Sequence, residues 1–85
     1  MNGEELTDGV YGFESHDFVN WYLVEDEGRL TAIDAGLSDS WDQFKRWIKK
    51  HGKRVSDLEA IVLTHAHVDH FGFAARARKE AGARI

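Results

Sequence analysis

An unbroken apolar run, Ala60-Ile61-Val62-Leu63, passes through Thr64 directly into His65-Ala66-His67-Val68-Asp69-His70. Nothing else in the 85 residues limits the fold so strongly. A short apolar run of this kind predicts a strand buried on both faces, as in a sheet enclosed between other layers. Three imidazoles and a carboxylate within six residues cannot continue into such a core. Each buried polar group left without a partner costs about 1–3 kcal/mol. The cluster therefore belongs at the end of the strand.

The spacing within the cluster points to metal chemistry. In extended backbone, residues i and i+2 face the same side, so His65 and His67 can reach one ion. Asp69 and His70 come where the chain turns toward a helix, close to the first pair but aimed elsewhere. The segment offers three nitrogens and a carboxylate, more than one tetrahedral zinc with an open position takes from one stretch of chain. It suits two adjacent ions, each completed by residues from other segments. The competing readings are structural core histidines and an adventitious surface cluster, and the position directly after a buried strand argues against both. The chain has no Cys, so a metal must be held by imidazole and carboxylate, and neither disulfides nor a thiol nucleophile is available.

The remaining pattern predicts strands alternating with helices. Gly9–Glu14 reads as a short strand, Phe18–Val24 as a stronger aromatic and β-branched one, and Arg29–Ile33 as its hairpin partner across the polar turn Glu25–Gly28. Ser40 with Gln43 fits a capping box. Trp41, Phe44, Ile48 and His51 then recur at helical spacing, with Gly52 as the stop. Phe71–Ala81 reads as a second helix ended by Gly82, and Ala83-Arg84-Ile85 as the first residues of a further strand. This order is that of an α/β layered fold, in which ligands bind at the carboxyl ends of strands.

Charge is divided unevenly along the chain. The net charge is −4, yet ten of the eleven basic residues follow Asp42. Lys45, Arg46, Lys49, Lys50, Lys53 and Arg54 form a basic cluster that reads as the solvated face of a helix rather than a nucleic-acid patch. Met1–Asp8 is acidic and polar and carries no secretory pattern. No stretch approaches the roughly 20 apolar residues of a membrane span. The expectation is a cytoplasmic protein with no membrane or nucleic-acid partner.

Thr64-His65-Ala66-His67-Val68-Asp69-His70-Phe71-Gly72 resembles the HxHxDH signature of the metallo-β-lactamase-fold hydrolases. Ile33-Asp34-Ala35-Gly36 resembles the family's earlier motif, and Val19–Val24 the strand before it. The resemblance covers the chain from about Val10 onward. It implies that His65 and His67 bind a first metal and that Asp69 and His70 bind a second. Asp69 would also orient or accept a proton from the attacking water, and Asp34 would support the site from behind the ligands. The implied fold is a four-layer αββα sandwich, of which residues 1–85 would be the N-terminal portion of a single domain. The family's later ligands, a His, a bridging Asp and a final His, have no counterpart here, since His16 and His51 are poor substitutes. The implied chemistry is hydrolysis of a small-molecule substrate by a hydroxide held on two zinc ions, with iron or manganese as alternative metals. Family substrates include lactams, thioesters, lactones and phosphodiesters. Phe73, where glyoxalase II-type thioesterases often carry Gly, weakens that match. Two other expectations compete: an iron-dependent redox member of the same fold, and a non-enzymatic half that pairs with another chain. In either case an exposed sheet would favour self-association.

Overall fold

A computed structural model describes residues 2–14, 20–34, 40–62 and 74–84. Four strands form an antiparallel meander: β1 (Asn2–Thr7), β2 (Val10–Glu14), β3 (Asn20–Asp26) and β4 (Arg29–Ile33). Helix α1 (Ser40–Lys50) then crosses to β5 (Leu58–Val62), which pairs parallel to β4 and gives the order β1-β2-β3-β4-β5. Helix α2 (Ala74–Ala81) follows. Beyond it Arg84 makes a parallel bridge to Ala60, so the chain re-enters the sheet on the far side of β5, as the Ala83–Ile85 pattern predicts. No helix among the described residues is long and apolar enough to cross a membrane.

The expected hairpin is present and its turn is tighter than the sequence indicated. Asp26 pairs with Arg29, which leaves Glu27-Gly28 as a two-residue loop. Both have positive φ, 53° and 82°, the combination whose twist matches that of the flanking strands. β1 was not expected. Its pairing with β2 carries two register irregularities, which erase the alternation that would mark a strand in the sequence.

One face of the sheet builds the core. Cross-strand partners Phe13 and Trp21 stack with centroids 4.0 Å apart, and Leu23 lies opposite Ala32. These residues join Leu30, Leu58 and Ile61 in one buried cluster with Trp41, Phe44, Trp47 and Ile48 of α1 and Ala77 of α2. The opposite face, carrying Val10, Tyr22, Val24 and Ile33, is only half-buried, and Val62 is 50% exposed. The described residues thus form one helical layer on one sheet.

The apolar run in β5 is accordingly not covered on both faces. A register shift at Glu59 pairs Leu58 with Leu30 but Ile61 with Ala32. The extra residue changes the phase of the strand, so Leu58 and Ile61, three apart, both meet the helices. Glu59 is left to pair with Arg29 at 3.5 Å.

On α1 the buried stripe is Trp41, Phe44, Trp47 and Ile48, with Trp47 taking the place expected for His51. His51 instead lies exposed on the Trp47 ring. Ser40 is the first helical residue, and Gln43 is turned to the sheet rather than back along the helix. Its Oε1 accepts from Trp21 Nε1 at 3.1 Å and its Nε2 donates to the Glu14 carbonyl at 3.4 Å. The helix ends at Gly52 as anticipated. Gly52 adopts φ 67°, Lys53 N–H donates to Ile48 O, and Gly52 N–H donates to Lys49 O. This is a Schellman cap that requires a left-handed residue. Gly52→Ala should therefore destabilise the fold by about 1 kcal/mol, read as a lower urea midpoint.

Lys53 also forms an ion pair with Glu25 beside Tyr11. The hydrogen bond to Glu25 raises the Lys53 pKa above its ordinary 10.5, against the opposing effect of burial. Burial raises the Tyr11 pKa above 10.0, and the Glu5 and Glu25 charges add to it. In both cases the folded state holds its proton more tightly than the unfolded one. Their stabilisation is complete below the unfolded values and is lost as pH rises through the folded ones. Urea stability should fall as pH is raised beyond about 10, and Tyr11→Phe should make that fall shallower.

Candidate metal centre

Because β4 and β5 run parallel, their carboxyl ends share one edge of the sheet. At that edge Asp34 N–H donates to the Val62 carbonyl at 2.8 Å, one step beyond the Ile33–Val62 pair. Asp34 then turns left-handed, with φ 65°. Only Glu27 shares this feature among the described non-glycine residues. The conformation costs an L-residue about 1 kcal/mol, and Asp tolerates it better than most because its short side chain can bond locally. The half-buried Asp34 is thereby fixed where the chain leaves β4, next to the strand that leads into the histidine cluster. In the sequence the cluster begins three residues beyond Val62. The carboxyl ends of strands are where α/β sheets generally bind their ligands.

His65, His67, Asp69 and His70 lie outside the described residues, as do Ala35 and Gly36 of the earlier motif. Of the residues assigned to the site from sequence, the structure describes Asp34 alone. Among the described residues, no group of three or more His, Asp or Glu gathers where it could hold an ion. The donor types in the sequence cluster, neutral imidazole and carboxylate, fit zinc and also iron.

His51 is removed from consideration as a further ligand. Its Nδ1 lies 2.9 Å from the Trp47 carbonyl, to which the ring N–H donates, and the ring stacks on Trp47 with centroids 4.2 Å apart. It also follows the C-terminus of α1. That helix leaves the carboxyl end of β4 and returns to the amino end of β5, so His51 lies toward the edge opposite Asp34. His16 lies outside the described residues. The feature that sequence reading missed is the backbone conformation of Asp34. An Asp before Ala-Gly reads as an ordinary turn, and the positive φ becomes visible only through the bond to Val62.

Residues 15–85 match the model of the metallo-β-lactamase superfamily. A metal-dependent hydrolase of Thermodesulfovibrio yellowstonii is 30% identical over 73 residues, covering 79% of this chain and 26% of that protein. Among solved structures, a Cronobacter sakazakii metallo-β-lactamase with a HARLDQ motif superposes with a TM-score of 0.81 at 31% identity, covering all of this chain and 32% of that one. A class B3 di-zinc metallo-β-lactamase from an Alaskan soil metagenome gives a TM-score of 0.73 at 29% identity, with coverages of 88% and 28%. The chain therefore spans about a third or less of the length of these relatives. With the family signature in the sequence, the parallel β4–β5 edge in the fold and these likenesses in agreement, the chain belongs to the metallo-β-lactamase superfamily as an N-terminal portion of its fold.

Proposed function

We propose that this chain carries the first metal-binding segment of a dinuclear zinc hydrolase. His65 and His67 hold one ion, Asp69 and His70 the other, and Asp34 steadies the ligand segment from the end of β4. The observation that carries the reading is the Asp34 N–H bond to Val62, because it fastens a carboxylate-bearing turn to the strand that delivers the cluster. The relatives support it. One is a metal-dependent hydrolase and another a di-zinc enzyme. The Cronobacter protein's motif reads HARLDQ, whereas this chain has His at the third and sixth positions of the same pattern, His67 and His70, and so offers two more imidazoles.

When bound, the metal pair lowers the pKa of water toward neutrality and offsets negative charge that develops on the substrate. In this reading the chain's own residues would supply the imidazoles and the carboxylates, and Asp69 would orient the attacking water or accept its proton. Four ligands fall short of two complete tetrahedral shells, and His51 is committed elsewhere. The 85-residue chain alone should therefore bind zinc weakly and turn over generic ester or phosphodiester substrates slowly.

Calorimetric zinc titration with metal analysis tests the reading. His67→Ala should lower zinc affinity at least tenfold, and an unchanged isotherm would overturn the ligand assignment. Metal analysis of protein purified without added metal separates zinc from iron. Asp34 allows a sharper comparison. Asp34→Gly keeps the left-handed backbone free of strain, while Asp34→Ala does not. Both should weaken zinc binding by about 10–100-fold. Only Asp34→Ala should also cost about 1 kcal/mol in urea unfolding.

A further inference from the structure

Among the described residues no helix covers the face of the sheet opposite the core. On that face Tyr22, Ile33 and Val62 form one row across β3, β4 and β5, and Val24, Thr31 and Ala60 form the next. Neither row carries a charge. Val62 is 50% exposed and the other five are half-buried. The face is small. Four strands about 4.8 Å apart and about 16 Å long present roughly 300 Å². A stable complex takes about 800 Å² from each partner, so burial of this face alone gives only a weak contact. The metal segment offers a second source of affinity. Two tetrahedral ions, each with one open position, take about six protein donors. Residues 65–70 contain four, and a second copy of the chain brings the total to eight.

We infer that residues 1–85 pair with a second copy of this chain, face to face across this sheet, and that metal ions shared by the two clusters hold the pair together. The inference rests on the dinuclear reading of residues 65–70. Symmetry favours a second copy over a foreign partner. In a two-fold pair the same rows meet their own mates, so an uncharged surface needs no complementary one.

Sheet geometry selects the axis. Packed sheets lie about 10 Å apart with strands within about 30° of each other. A two-fold axis along the strands brings the carboxyl ends of β4 and β5 from both copies to one end of the pair. An axis across the strands sends them to opposite ends, where neither cluster gains a donor. His65 follows Val62 by three residues. Three residues reach up to about 11 Å, comparable with the sheet spacing. Two clusters that leave the same end can therefore meet over the seam between the sheets.

Sedimentation equilibrium of the full 85-residue chain, in EDTA and in a slight excess of zinc, tests this. The expected result is a monomer in EDTA and a dimer in zinc. By linkage, zinc affinity should also rise several-fold when the protein concentration is raised about a hundredfold. Val24→Lys puts a charge in the middle of the face, on a strand that carries none of the proposed ligands. It should keep the chain monomeric in zinc while leaving the weak binding of the single chain. Thr31→Lys is a second variant of the same kind, and near-UV circular dichroism of the aromatic core shows which of the two is folded. A chain that binds zinc at every concentration as a monomer would overturn the pairing and leave the metal reading standing. Equal dimer in EDTA and in zinc, higher oligomers in place of the dimer, or a zinc dimer that persists in a folded lysine variant would also overturn it. Absence of zinc binding would overturn both.

Discussion

The parallel pairing of β4 with β5 is the constraint on which the rest of the structure depends. Two strands that point the same way cannot be joined by a tight turn, so the chain between them must cross back over the sheet, and α1 is that crossover. Its return path commits one face of the sheet to the aromatic core. It also brings the ends of β4 and β5 to a common edge, where Asp34 N–H reaches the Val62 carbonyl. That single hydrogen bond ties the exit of β4 to the end of β5.

The core that holds this arrangement is unusually aromatic for so short a chain. Phe13 and Trp21 stack across two strands, and Trp41, Phe44 and Trp47 close over them from α1. Gln43 fastens helix to sheet twice, accepting from Trp21 and donating to the Glu14 carbonyl. With so little surface available for burial, large rings supply area that aliphatic side chains could not. Among the described residues no helix covers the other face of the sheet, and Val62 is half-exposed on it. That is consistent with a chain that spans about a third of the solved structures it resembles.

Helix α1 connects two chemically different regions. Its N-terminus follows the carboxyl ends of β4 and β5, whereas its C-terminal half carries Arg46, Trp47 and Lys50, with His51 just beyond, around a separate cleft. From sequence the basic residues there looked like a uniform solvated face. Packing distinguishes them. Among the described residues Lys45 and Lys53 have carboxylate partners, and Arg46 and Lys50 are exposed on either side of Trp47.

The sequence by itself determined the local and chemical features. The β3–β4 hairpin, the Gly52 helix stop, the alternation of strands and helices, and the return of the chain to the sheet at Arg84 all follow from neighbours a few residues apart. The donor types that His65, His67, Asp69 and His70 bring together, imidazole and carboxylate, and the absence of any thiol are legible without a structure. Tertiary structure alone decided what depends on distant partners. β1 is a strand because β2 pairs with it, despite a pattern broken by two irregularities. The phase of β5 is set by one extra residue opposite β4, which reversed the expectation of burial on both faces. Trp47 rather than His51 entered the core because the sheet lies on that side of the helix. Asp34 acquired its left-handed turn from a bond to a strand far along the chain. Register, phase and strain arise between segments, so no local pattern of residues records them.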